Sequence, residues 1–106
     1  MRKKKSSRSG GNCFMTAQRV AEKIGHGALV CHGMVTSQKL GRHLHAWVER
    51  EGLVIDHSNG CKCELPAFVY YRLGQIDEAE VRRYDRKQVR GFLLAQEHYG
   101  PWEEVS

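Results

Sequence analysis

Apolar residues first recur at helical spacing in "NCFMTAQRVAEKIG", where Phe14, Ala17, Val20, Ala21 and Ile24 form one stripe with steps of three or four residues. Asn12 suits the N-cap and Gly25 the C′ stop, so the pattern predicts a helix from Cys13 to Ile24 with Cys13 in its first turn. The period then changes. "GALVCHGMV" is a short apolar run rich in β formers and broken by Gly33, which predicts a strand, and "SQKLG" reads as a loop. "RHLHAWVER" and "LVIDHS" predict two strands that meet at Glu51-Gly52, a good hairpin loop. With those two residues as the loop, Arg50 faces Leu53 and Trp47 faces Asp56. Alternate residues share a face, so His45, Trp47 and Glu49 lie on the side of Asp56. His45 and Asp56 become diagonal neighbours, roughly 7 Å apart at the backbone and within reach of each other's side chains.

Farther along, "SNGCKCELP" reads as a turn-rich connection, and "PAFVYYRLG" as a short helix with Pro66 in its first turn and Gly74 as its stop. Of its two tyrosines, Tyr70 and Tyr71, one is expected buried and one exposed. "QIDEAEVRRY" has the mixed alternation of a third or fourth strand at a sheet edge. Asp85 with Gln88 makes a capping-box start, and Val89, Phe92 and Leu93 give the buried stripe of a last helix reaching about His98. "YGPW" ends that helix and frees Trp102 to fold back on the core. The fold class that follows is α+β: an N-terminal helix carrying Cys13, packed on a three- or four-stranded antiparallel sheet, with a short helix and a C-terminal helix completing the layers.

A chain of 106 residues, 41% hydrophobic and 27% charged, has the size and composition of one globular domain. The net charge of +5 points to nucleic acid until it is located. Arg2, Lys3, Lys4, Lys5 and Arg8 supply all of it, and the remainder of the chain is balanced. Residues 1–11 therefore read as a flexible basic tail and 12–106 as the domain. Contact of residues 2–8 with nucleic acid or an acidic surface would be weak and salt-dependent. No apolar run has the length of a membrane span or a signal-peptide core, so the expectation is a cytoplasmic protein. Its cysteines, Cys13, Cys31, Cys61 and Cys63, are then expected reduced, which turns their reading from disulfides towards a nucleophile, metal ligands or small buried groups.

One combination carries chemistry. A thiol attacks as thiolate, and a helix start and a nearby imidazolium both favour that form. Cys13 is placed for the first and His45 for the second, as general base and later acid, with Asp56 holding the imidazole in the required tautomer. The Cys13 backbone N–H with Asn12 would serve the developing oxyanion, and His32 and Trp47 are placed as further oxyanion or substrate-lining groups. His43 shares the face of His45 and is the rival base.

On these residues the chain resembles a known superfamily. "NCF" opening a helix, then "HAWVE", then "VID" one hairpin strand later is similar to the core of papain-like and transglutaminase-like cysteine hydrolases, where Cys begins a helix and His and Asp sit on adjacent antiparallel strands. Taken together, "GNCF", "LVCHG", "HAWVE", "IDHSNG", "YYRLG" and "YGPW" resemble small papain-like proteins of phages and mobile elements. The resemblance implies a thiol-dependent hydrolase or acyl transferase acting on a peptide, amide or isopeptide bond of a peptide or protein substrate, without a cofactor. In papain-like enzymes a glutamine stands about six residues before the nucleophile, where this chain has Ser7. Two other readings compete. One is a non-catalytic phage-type interaction module that binds a host protein or nucleic acid. The other is a zinc adaptor built on Cys61 and Cys63 with Cys31, His32 or His57, although adjacent Cys31 and His32 would point to opposite sides of a strand.

Overall fold

The structure is a computed structural model that describes residues 9–58 and 62–103, with main chain alone at 9–12. The basic residues 2–8, the Asn12 side chain and Cys61 lie outside the described part. Helix α1 (Ser9–Ile24) buries Phe14, Ala17 and Ala21, the stripe that the sequence predicts. It stops where Gly25 takes a φ of +88°, a conformation that glycine adopts without strain, and returns its N–H to the Ala21 carbonyl at 2.9 Å. Its start differs from expectation. The helix begins at Ser9 and not at Cys13, so residues 9–11 belong to α1 and not to a tail, and Cys13 sits in the second turn.

Five strands follow: β1 (Leu29–Ser37), β2 (Gly41–Arg50), β3 (Leu53–Asp56), β4 (Cys63–Pro66) and β5 (Arg82–Tyr84). They form one antiparallel sheet in the order β4-β3-β2-β1-β5. The fold is α+β as the sequence indicates, with five strands where three or four were expected. The additional one is β4, inside the segment read as a connection. Its four residues end at Pro66, which an edge strand tolerates because no further strand requires its missing N–H. Of the strand expected over 75–84 only Arg82–Tyr84 pairs, and the 3-10 turn Glu78–Glu80 before it is capped by the Asp77 side chain, which accepts from the Ala79 N–H at 3.1 Å. Helix α2 (Ala67–Leu73) and helix α3 (Arg86–Gln96) complete the chain, α3 with the expected capping box between Asp85 and Gln88.

The sheet separates two apolar clusters. Val30, Ala46, Val48 and Tyr84 pack with Phe14, Ala17 and Ala21 of α1, Val89 of α3 and Trp102. Cys31, Val35, Trp47 and Val54 pack on the opposite side with Tyr71 of α2 and Val81. Trp102 folds back as expected, stacked on Phe92 at 5.0 Å and donating its indole N–H to the His98 carbonyl at 2.8 Å. Among the described residues no helix is long and apolar enough to cross a membrane.

Candidate active site

The hairpin of β2 and β3 has the predicted loop. Glu51 and Gly52 both have positive φ, 53° and 81°, as a tight two-residue turn requires, and Arg50 pairs with Leu53, Glu49 with Val54 and Val48 with Ile55. The ladder closes there. Asp56, one residue beyond the last pair, brings its Oδ2 to 2.9 Å from Nε2 of His45. The Ser58 Oγ also lies 3.4 Å from the same Nε2. The Cys13 side chain is a further hydrogen-bond partner of the His45 ring. A helix on one side of the sheet and a strand beside β2 therefore converge on one imidazole.

Electrostatics follow from these contacts. Burial disfavours the charged ring of His45, but its hydrogen bonds with Asp56 and Cys13 and the carboxylate charge outweigh that and raise its pKa to about 9. The ring is protonated at neutral pH. Burial also opposes ionisation of Asp56, yet His45, Ser58 and Tyr70 together hold its carboxyl well below the usual range. Every lone-pair direction of the carboxylate is used: Oδ1 accepts from the Ser58 N–H at 3.0 Å and its hydroxyl at 2.6 Å, and Oδ2 accepts from His45 and from the Tyr70 hydroxyl at 2.7 Å.

His43, the rival base, has its ring 5.7 Å from that of His45 and its Nδ1 at 3.0 Å from the Gly41 carbonyl oxygen, so its contact is with its own strand and not with Asp56. Two residues placed as oxyanion or substrate-lining groups are elsewhere. His32 has no exposed surface; it is enclosed by the rings of Phe14 at 4.7 Å and of Tyr84 and Trp102, both at 5.1 Å. Burial lowers its pKa to about 4, and neither ring nitrogen has a hydrogen-bond partner among the described residues. Trp47 is 1% exposed and forms the centre of the other cluster, where its indole donates to Glu49 Oε2 at 3.0 Å. Both are core residues because the inward positions of β1 and β2 are covered by helices or turns on both faces. The Cys13 N–H expected at the oxyanion also changes role, since it lies beyond the first four N–H groups that a helix start leaves unpaired.

Sequence reasoning missed Ser58 and Tyr70. Ser58 had a local signal: an Asp two residues before a Ser can accept from its backbone N–H in an Asx turn. Tyr70 had none, because it reaches Asp56 through the docking of α2 on the sheet. Beside this group lies a groove of about 660 Å³ whose walls include Val35, Leu40, His43, Leu65 and Leu73, with His45, Asp56, Ser58, Tyr70 and Cys63 also lining it. Cys13, 6% exposed, does not line it. Among the described residues no three His, Cys, Asp or Glu side chains are grouped to hold a metal. Cys31 and His32 do face opposite sides of β1, and burial, with the Glu49 charge, pushes the Cys31 thiol well up.

No family model matches the chain. Searches of curated proteins and of solved structures likewise find no match.

Proposed function

We propose that the protein is a thiol-dependent hydrolase or acyl transferase acting on a peptide, amide or isopeptide bond, with Cys13 as nucleophile, His45 as base and acid, and Asp56 orienting the ring. The observation that carries this reading is that one imidazole is hydrogen bonded to the Cys13 side chain and, at 2.9 Å, to a buried carboxylate. The His45 imidazolium holds the proton given up by the thiol, and the paired sulfur attacks the carbonyl carbon. As the tetrahedral intermediate collapses, the C–N bond breaks and His45 returns its proton to the departing amine, leaving a thioester on Cys13. Water releases the acid, or a second amine takes the acyl group. Asp56, ionised and fully hydrogen bonded, stabilises the imidazolium through both steps without accepting its proton.

The test is an iodoacetamide rate profile against pH on the intact chain, with each cysteine followed by peptide mass. Cys13 should be the most reactive thiol near neutrality, and His45→Asn should slow it by about tenfold or more. Because Cys13 is 6% exposed, its rate should also fall with reagent bulk more steeply than that of the half-buried Cys63. Uniformly sluggish thiols would leave the interaction-module reading in place. An activity-based thiol probe that labels the wild type and spares Cys13→Ala gives a second readout.

A further inference from the structure

The carboxylate that orients His45 is shared. Tyr70 comes from α2, a different element from any that carries Cys13, His45 or Asp56, and its hydroxyl donates at 2.7 Å to Oδ2, the same oxygen that takes the His45 N–H at 2.9 Å. Ser58 donates its N–H and hydroxyl to Oδ1, and its Oγ also lies 3.4 Å from His45 Nε2. Tyr70 is held for this task on its other side as well, with its ring centroid 5.5 Å from that of Trp47, which in turn lies 6.3 Å from His45. We propose that Tyr70 is a positioning residue of the thiol–imidazole pair: by sharing Asp56 Oδ2 with His45 it fixes the carboxylate and limits how tightly Asp56 holds the imidazole proton.

The physical argument is one of divided acceptor strength. A carboxylate oxygen that already accepts from a hydroxyl is a weaker acceptor for a second donor, so the phenol competes with the imidazolium for the same negative charge. The ionisable groups around the His45–Asp56 pair are Cys13 from α1, His43 from β2 and Tyr70 from α2, with Cys63 of β4 lining the same groove. Of these, Tyr70 is the neutral donor on the oxygen that His45 uses. Burial, the Asp56 charge and the hydrogen bond keep its phenol well above its ordinary pKa, so it remains a donor across the working range of a thiol enzyme. The proposal bears on reactivity only if Cys13 and His45 act as described under Proposed function, but the contact can be tested without turnover.

The experiment is an NMR titration of the His45 ring in wild type and Tyr70→Phe, which keeps the ring against Trp47 and removes the hydroxyl. Freed of its competitor, Asp56 should hold the imidazole proton more tightly, and the His45 midpoint should rise by about half a pH unit or more. The alkaline limb of Cys13 alkylation should move up with it. A residue that only anchors α2 would lower the melting temperature and leave the His45 midpoint where it is, which would overturn the proposal. Asp56→Asn supplies an independent measurement that decides the matter if Tyr70→Phe does not fold. Its Tyr70 phenol, followed by ultraviolet difference absorbance, should titrate closer to the ordinary tyrosine range, and an unmoved phenol would count against the shared oxygen. A shifted His45 with an unreactive Cys13 would sustain this proposal and sink the enzymatic reading.

Discussion

His32 and His45 are both buried, at 0% and 8% exposure, yet burial ends differently for them. His45 has a carboxylate to offset the desolvation of its charge, and its pKa rises to about 9; His32 has only aromatic rings around it, and its pKa falls to about 4. The two have opposite effects on stability. A raised folded pKa makes the His45 contribution complete below the ordinary value near 6.5 and progressively lost as pH climbs towards 9. A lowered one makes the His32 contribution complete above 6.5 and lost as pH drops towards 4, where the unfolded chain binds a proton that the folded chain refuses. Urea midpoints measured against pH should therefore peak near neutrality and fall on both sides, with His32→Leu flattening the acid limb; an acid limb untouched by that change would refute the assignment. At this scale the sequence was partly legible. The pairing of His45 with Asp56 follows from strand parity and loop length alone. The isolation of His32 was not readable, because it depends on Phe14, Tyr84 and Trp102 arriving from three distant segments.

The elements legible in advance are those whose signals are local: the apolar stripe of α1, the Glu51-Gly52 turn and the Asp85 capping box. What escaped is β4, a strand of four residues whose existence depends on a neighbour to pair with, and the 3-10 turn at Glu78–Glu80 that replaces part of the expected strand before Arg82. The start of α1 was misplaced because Gly10 and Gly11 have poor helix propensity and hid the first turn. Gly33 shows how an element-level break in pattern acquires a reason. A Cβ there would lie 2.9 Å from Cη2 of Trp47 and 3.4 Å from Cγ2 of Val81, so the glycine is the space that lets the indole lie across β1. Gly33→Ala should cost about 1–3 kcal/mol in denaturant unfolding. Because Trp47 packs beside His45, the same variant should disturb the His45 ring resonances more than a surface substitution does.

Across the whole molecule, the groups that converge on the His45–Asp56 pair come from α1, β2, β3 and α2, and the sheet order puts β2 in the middle, flanked by β1 and β3. The outer helices are joined by Glu22, which meets Arg90 at 2.8 Å in an exposed ion pair that salt should weaken. The layers thus differ in how firmly they are held. Amide hydrogen exchange should be slowest along Val48 and its neighbours in β2 and faster in the first turns of α1 and in the edge strand β4; uniform protection of all three would contradict this ordering. The central placement of β2 then has a consequence for timing. In that ordering the imidazole sits on the strand that opens last, whereas the Cys13 thiol sits in the second turn of α1. Exposure of the Cys13 sulfur should then need only local opening of α1, with His45 and Asp56 still paired.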